Sequence, residues 1–174
     1  MGNISNLLFW NSDSTRLPKE MLLWYLEKVY LDNGLRKQGR LVLNGVKLDI
    51  TKITTPVYVL ATQEDHIAPW TSIYPVIDML GGDVEFVLGG SGHIAGVINP
   101  PAERPKYGFK TSANYPATTD EFLAQCTQHE GSWWPHWADW LEARDGRKVP
   151  ARPVAKRGKY KSIEAAPGSY VQAR

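Results

Sequence analysis

Apolar positions along the chain fall into blocks of different period. In residues 18–34, PKEMLLWYLEKVYLDNG, Leu22, Leu26, Val29 and Tyr30 recur at helical spacing. Pro18 suits a first helical turn and Gly34 a residue just past the last one. Residues 40–50, RLVLNGVKLDI, alternate around Asn44-Gly45, which predicts a hairpin. From Val57 to Leu60 the chain is almost continuously apolar and short, as in a parallel strand buried on both faces. Pro69 opens a predicted helix over 69–82, ended by Gly81-Gly82 and bent or broken at Pro75. DVEFVLGGSGH, 83–93, reads as a second buried strand running into a glycine-rich turn. Residues 99 to about 117 read as proline-rich loop, and 118–146 as one or two helices ending at Gly146.

The middle of this pattern, 55–98, is strand, loop with Asp65, helix, strand, loop with His93. Strands alternating with helical stretches predict a parallel sheet and an α/β fold. Sites in such sheets lie beyond the carboxyl ends of the strands, where both residues fall. The two ends of the chain look different. Residues 1 to about 17 are polar and irregular, with an apolar patch at Leu7, Leu8, Phe9 and Trp10. Residues 147–174 are basic and poor in large apolar side chains, which predicts an extended tail with a short packed piece near YKSIEAAPGSYV.

Composition narrows the class only a little. Hydrophobic residues make up 43% and charged residues 22% of the 174, as in ordinary globular domains. The net charge of +2 points to no particular partner, and the basic tail reads more readily as solvated than as phosphate-binding. No nucleic-acid-binding motif occurs. No apolar run approaches a transmembrane span, and the N-terminal residues lack the pattern of a secretory signal. The Met-Gly start carries Asn6 where a myristoylation pattern needs Ser or Thr. One cysteine, Cys126, leaves no intrachain disulfide and fits a reducing cytoplasm. Seven tryptophans are unusual. Trp133, Trp134, Trp137 and Trp140 follow helical spacing, which favours core packing, with an apolar channel or polymer-facing surface as the other reading.

Asp65 and His93 are the candidate chemistry. A histidine after one strand, with an aspartate after the strand before it, matches the acid and base of α/β-hydrolases. His93 would act as general base, and Asp65 would hold its tautomer and stabilise the imidazolium. Gly90 and Gly92 are expected to supply the tight turn that exposes His93. The plain alternative is a helix-capping aspartate and an ordinary loop histidine. A nucleophile is harder to find. No G-x-S-x-G or G-x-C-x-G elbow occurs, and Ser91 stands two residues before His93 rather than on an elbow. Cys126, in LAQCTQH, has no glycine beside it and reads as a packed structural thiol. The spacing of Cys126, His129 and His136 matches no zinc pattern.

Six stretches together resemble the C-terminal part of class I poly(3-hydroxyalkanoate) synthases: FWNSDSTRLP, WYLEKVYLDNGL, EDHIAPW, GSGHIAGVINPP, HEGSWWPHWADWL and IEAAPGSYV. The likeness covers nearly the whole chain in order. It implies the C-terminal part of an α/β-hydrolase fold preceded by a remnant of the cap. Residues 1–50 would be the cap remnant, 51–146 the C-terminal half of the hydrolase core, and 147–174 a basic tail. It implies acyl transfer in the cytoplasm at polyester storage granules, from (R)-3-hydroxyacyl-CoA to a growing polyester with release of coenzyme A. 3-Hydroxybutyryl-CoA is the expected substrate, no separate cofactor is expected, and a dimer is expected through the cap region. Asp65 and His93 match the family's aspartate and histidine by motif, and His66 beside Asp65 is a candidate at the rim of the substrate pocket, or a plain surface residue.

The resemblance also implies a Cys-His-Asp triad whose cysteine sits in a G-x-C-x-G elbow upstream of FWNSDST. Cys126 does not align with that cysteine. The chain is therefore expected to carry two of three catalytic groups and to be inactive alone. A non-catalytic granule- or synthase-binding module is the other class of function. A self-contained cysteine hydrolase using Cys126 is a weaker third. An uncovered apolar strand edge predicts marginal stability or association for the chain alone.

Overall fold

The computed structural model describes residues 11–12, 14–104, 106–151, 162–165 and 168–169. The chain divides into two compact units, residues 25–146 and the two chain ends, 1–24 with 147–174. Among the described residues of the chain-end unit, helix α1 (Lys19–Trp24) has its first turn closed by the Leu22 N–H donating to the Pro18 carbonyl at 3.0 Å. The apolar patch at 7–10 lies outside the described residues, as does half of 160–171. Within that last stretch Ser162–Ala165 are exposed.

Residues 25–146 begin with a π-helical run, Tyr25–Leu31, rather than a continued α-helix. None of its residues is buried, and neither is any in α1. The hairpin follows as β1 (Val42–Leu43) and β2 (Val46–Lys47), antiparallel, with Leu43 opposite Val46. Asn44 and Gly45 both have positive φ, 48° and 80°, the backbone that a two-residue hairpin turn of this kind requires.

The main sheet has four strands in the order β3-β4-β5-β6: Val57–Thr62, Val84–Gly89, Phe109–Thr111 and Thr127–His129. β3 and β4 pair in parallel over six residues, from Val57 with Val84 to Thr62 with Gly89. β5 and β6 add antiparallel. The sheet is therefore mixed, and the fold is of the α/β type. β5 and β6 are absent from the sequence reading because each is three residues long, within a proline-rich loop and a helical stretch. Tertiary pairing forms them: Thr111 faces Thr127, and the Phe109 and His129 rings stack at 4.7 Å.

Between β3 and β4 the chain forms α2 (Trp70–Ile73) and a 3-10 turn, Tyr74–Asp78. The tightening begins at Pro75, which has no N–H to continue an α-helix. Gly81 and Gly82 then pass so close to residues 51–55 that a Cβ on Gly81 would stand 2.1 Å from the Thr51 carbonyl oxygen. α3 (Thr119–Gln125) starts from a capping box, Thr118 with Glu121, and α4 (Trp134–Glu142) follows β6.

Alternation along the strands sends side chains to two layers. On one face Ala61, Phe86 and Leu88 pack with Trp70 and Tyr74 and with Phe122 of α3. The Phe86 and Phe122 rings meet edge-on at 5.5 Å, and both are fully buried. On the other face Tyr58 and Glu85, opposite one another in the register, meet α4: the Tyr58 hydroxyl lies 2.9 Å from His136 Nδ1. His136 Nε2 lies 3.7 Å from Glu85, and the Trp140 ring stands edge-on to Tyr58. β3 has no partner on its outer edge among the described residues.

Candidate acid–base site

The parallel ladder of β3 and β4 extends past both strand ends and carries two loops side by side. The Gln63 N–H donates to Gly89 at 2.8 Å and the Glu64 N–H donates to Ser91 at 2.9 Å. The first loop turns at Asp65, whose N–H donates back to Thr62. The second turns at Ser91, which holds φ at 67°, so the left-handed residue is the serine and not either flanking glycine. Gly90 is there for close approach: its N–H donates to the Gly108 carbonyl at 2.8 Å, and a Cβ would sit 2.9 Å from that oxygen. The turn after His93 is tightest at Gly96, where a Cβ would lie 2.5 Å from both the Gly90 carbonyl oxygen and the Thr62 methyl.

This arrangement brings His93 Nδ1 to 2.7 Å from Asp65 Oδ2. The other carboxylate oxygen accepts the backbone N–H groups of Ala68 at 2.8 Å and Ile67 at 2.9 Å. The Asp65 side chain is 7% exposed and that of His93 is 44% exposed. The Ala68 N–H, above all, holds the Asp65 carboxyl down to about 2, against burial, with His93 and the Ile67 N–H adding to the effect. The aspartate is thus ionised and locked at three points. With Nδ1 bound to Asp65 as donor, Nε2 of the half-exposed ring is the nitrogen left to take up a proton from a reacting group. Thr62 Oγ1, 3.5 Å from the same Asp65 oxygen, lies at the outer limit of a contact.

The other candidates stand apart in character. His66 is exposed on the Asp65 loop. Cys126 caps the end of α3, where its thiol donates to the Leu123 carbonyl at 3.2 Å and packs against the Phe122 cluster. His129 Nε2 is 2.8 Å from the Thr111 hydroxyl, and His136 serves the Tyr58 and Glu85 contacts. No group of three metal-ligating side chains converges among the described residues. No helix among them is long and apolar enough to cross a membrane.

No family model matches the sequence. Curated relatives do. A poly(3-hydroxyalkanoate) polymerase of Methylorubrum extorquens is 46% identical over 167 residues, covering 96% of this chain and 27% of the relative. The poly(3-hydroxyalkanoate) polymerase subunits PhaC of Cupriavidus necator and Rhizobium meliloti are 44% and 48% identical over 169 residues, 97% of this chain and 28% and 27% of theirs. The chain spans about a quarter of the length of these relatives. Over nearly all of its own length, then, this chain is a homologue of the poly(3-hydroxyalkanoate) polymerases.

Proposed function

We propose that this chain is the acid–base segment of a polyester-forming acyltransferase acting on (R)-3-hydroxyacyl-CoA, with 3-hydroxybutyryl-CoA as the expected substrate. The observation that carries the reading is the 2.7 Å His93–Asp65 contact, made on the carboxyl side of two parallel strands in a homologue of polymerases. In this reading the core is the C-terminal half of an α/β-hydrolase fold, and residues 1–50 are a remnant of its cap. The outer edge of β3, unpaired among the described residues, takes a parallel strand from sequence outside these 174 residues, and that sequence also supplies the cysteine.

His93 Nε2 accepts the cysteine proton, and the thiolate attacks the thioester carbonyl of the hydroxyacyl-CoA. The carbonyl–sulfur bond to coenzyme A breaks, and the departing thiolate takes the proton back from His93. The 3-hydroxyl of the next unit then attacks the acyl-cysteine, losing its proton to the same nitrogen, while the carbonyl–sulfur bond to the cysteine breaks and the departing cysteine sulfur takes that proton back from His93. Asp65 stays ionised throughout and stabilises the imidazolium formed in each step. The coenzyme A thioester is substrate, and no further cofactor enters these steps. His66 sits at the rim of the pocket, the working form is a dimer through the cap, and the site of action is the cytoplasmic surface of polyester granules.

The test is a chimera in which this chain replaces the matching segment of the Methylorubrum extorquens polymerase. It should polymerise 3-hydroxybutyryl-CoA, and His93→Ala should lower turnover by orders of magnitude, while the isolated 174-residue chain should release no coenzyme A. Near-normal turnover of the His93→Ala chimera would overturn the assignment.

A further inference from the structure

The five residues after His93 form a tight helical turn. The Gly96 N–H donates to Gly92 at 2.9 Å and the Ile98 N–H to Ile94 at 2.8 Å. Two consecutive carbonyls at the end of this turn are met by two consecutive tryptophans from the start of α4. The Trp133 indole N–H donates to the Gly96 carbonyl at 3.1 Å, and the Trp134 indole N–H donates to Val97 at 3.1 Å. Each bond spans 37 residues of sequence. The indoles are held in turn. Their rings stand 6.3 Å apart at 73°, and Trp133 lies 6.0 Å from Trp137 and 6.1 Å from Tyr58 of β3. α4 itself is fixed to the sheet by the His136–Tyr58 contact.

Gly96, the acceptor for Trp133, is also the point at which the turn presses on Thr62 and Gly90. A bond to that carbonyl therefore sets how the whole turn sits against the Asp65 loop. Helix-spaced tryptophans that only filled a core would not need both indole N–H groups aimed at the backbone of one loop. We propose that Trp133, with Trp134 beside it, is a positioning residue for His93: its indole N–H fixes the 94–98 turn so that the imidazole meets Asp65 with Nε2 turned outward. The consequence for turnover rests on the acyl-transfer reading above, whereas the consequence for the His93–Asp65 contact does not.

The experiment uses the 174-residue chain labelled with 15N-histidine, which has four histidines to resolve. The His93 ring proton bound to Asp65 gives a downfield NMR resonance, identified by its loss in His93→Asn. In Trp133→Phe, which keeps an aromatic ring but no N–H, this resonance should broaden or vanish while far-UV circular dichroism and the His129 signal stay as they were. In Trp137→Phe it should persist. If Trp133→Phe folds poorly, benzothienylalanine at 133, with sulfur in place of N–H and the same shape, makes the same comparison. An unmoved His93 resonance in either Trp133 replacement overturns the proposal. In the chimera, Trp133→Phe should lower kcat by about tenfold to a hundredfold with KM nearly unchanged, the signature of a misplaced reacting group. If His93→Ala leaves the chimera active but the Trp133 replacements shift the resonance, the acyl-transfer reading fails and the brace stands. If His93→Ala abolishes turnover and the Trp133 replacements leave both resonance and kcat intact, the brace alone fails.

Discussion

His93 and Asp65, 28 residues apart in sequence, meet at 2.7 Å through a single ring nitrogen and a single carboxylate oxygen. The other Asp65 oxygen is held by two backbone N–H groups, so the carboxylate keeps its position whether or not the imidazole is charged. That division of labour makes the contact a test object in its own right.

Its first consequence is acid sensitivity. Asp65 titrates at about 2 in the fold against an ordinary value of 3.8. A depressed carboxyl contributes stability that is complete above the unfolded value and is lost as pH falls through the folded one. Between about pH 4 and pH 2 the unfolded chain binds the Asp65 proton and the folded chain does not, so unfolding becomes easier as pH drops. Asp65→Asn removes that contribution. Denaturant midpoints of the two proteins should converge toward pH 2, with the parent ahead at pH 6. A gap that stays constant from pH 6 to pH 2 would contradict this.

Gly96 offers a sharp steric contrast with Gly92. An added Cβ on Gly96 would lie 2.5 Å from a carbonyl oxygen and a methyl, whereas on Gly92 it would find only the Glu64 carbonyl oxygen at an ordinary 3.6 Å. Gly96→Ala should destabilise by about 1–3 kcal/mol, the usual cost of overpacking, and Gly92→Ala by clearly less. Equal shifts in the urea midpoint would show that the turn relaxes freely.

Much of this site could be read from sequence because it depends on short-range patterns. β3 and β4 announce themselves as apolar runs, Asn44-Gly45 as a hairpin, and Asp65 and His93 as polar residues just beyond buried strands. What escaped was long-range. β5 and β6 have three residues each and exist only through long-range pairing, β5 on the edge of β4 and β6 on β5. General preference gives the tight turn before His93 to Gly90 and Gly92, but the left-handed residue is Ser91, whose carbonyl accepts the Glu64 N–H, while Gly90 is needed for the approach to Gly108. The tryptophan cluster showed helical spacing, yet spacing says nothing about where an indole N–H points. The carbonyls it meets lie 37 residues away.

Phe122 tests how much the small core carries. It is fully buried, with ring centroids 5.3 Å from Tyr74, 5.5 Å from Phe86 and 6.0 Å from Trp70. Phe122→Ala should cost about 3–5 kcal/mol, through lost burial and the cavity left behind. Folded domains commonly hold only about 5–15 kcal/mol in all, and the outer edge of β3 has no partner among the described residues, so the variant should be largely unfolded at 37 °C. Loss of the cooperative thermal transition by circular dichroism checks it, and a cost below about 1 kcal/mol would mean that the cluster repacks without a cavity.

Cys126 is the remaining thiol whose role can be decided directly. It ends α3 rather than standing on a strand-to-helix elbow, its Sγ donates to the Leu123 carbonyl, and it packs against the Phe122 cluster. A nucleophile needs its sulfur free to reach a carbonyl and a base within hydrogen-bond reach. The sulfur here is engaged with its own helix, and the His129 imidazole three residues on is spent on Thr111. Cys126→Ala should therefore leave turnover of the chimera unchanged and lower stability by about 1 kcal/mol or less, as for a small packed side chain. In the folded chain a thiol reagent should label Cys126 far more slowly than after denaturation. Rapid labelling, together with lost turnover in Cys126→Ala, would return the chain to the class of self-contained cysteine hydrolases.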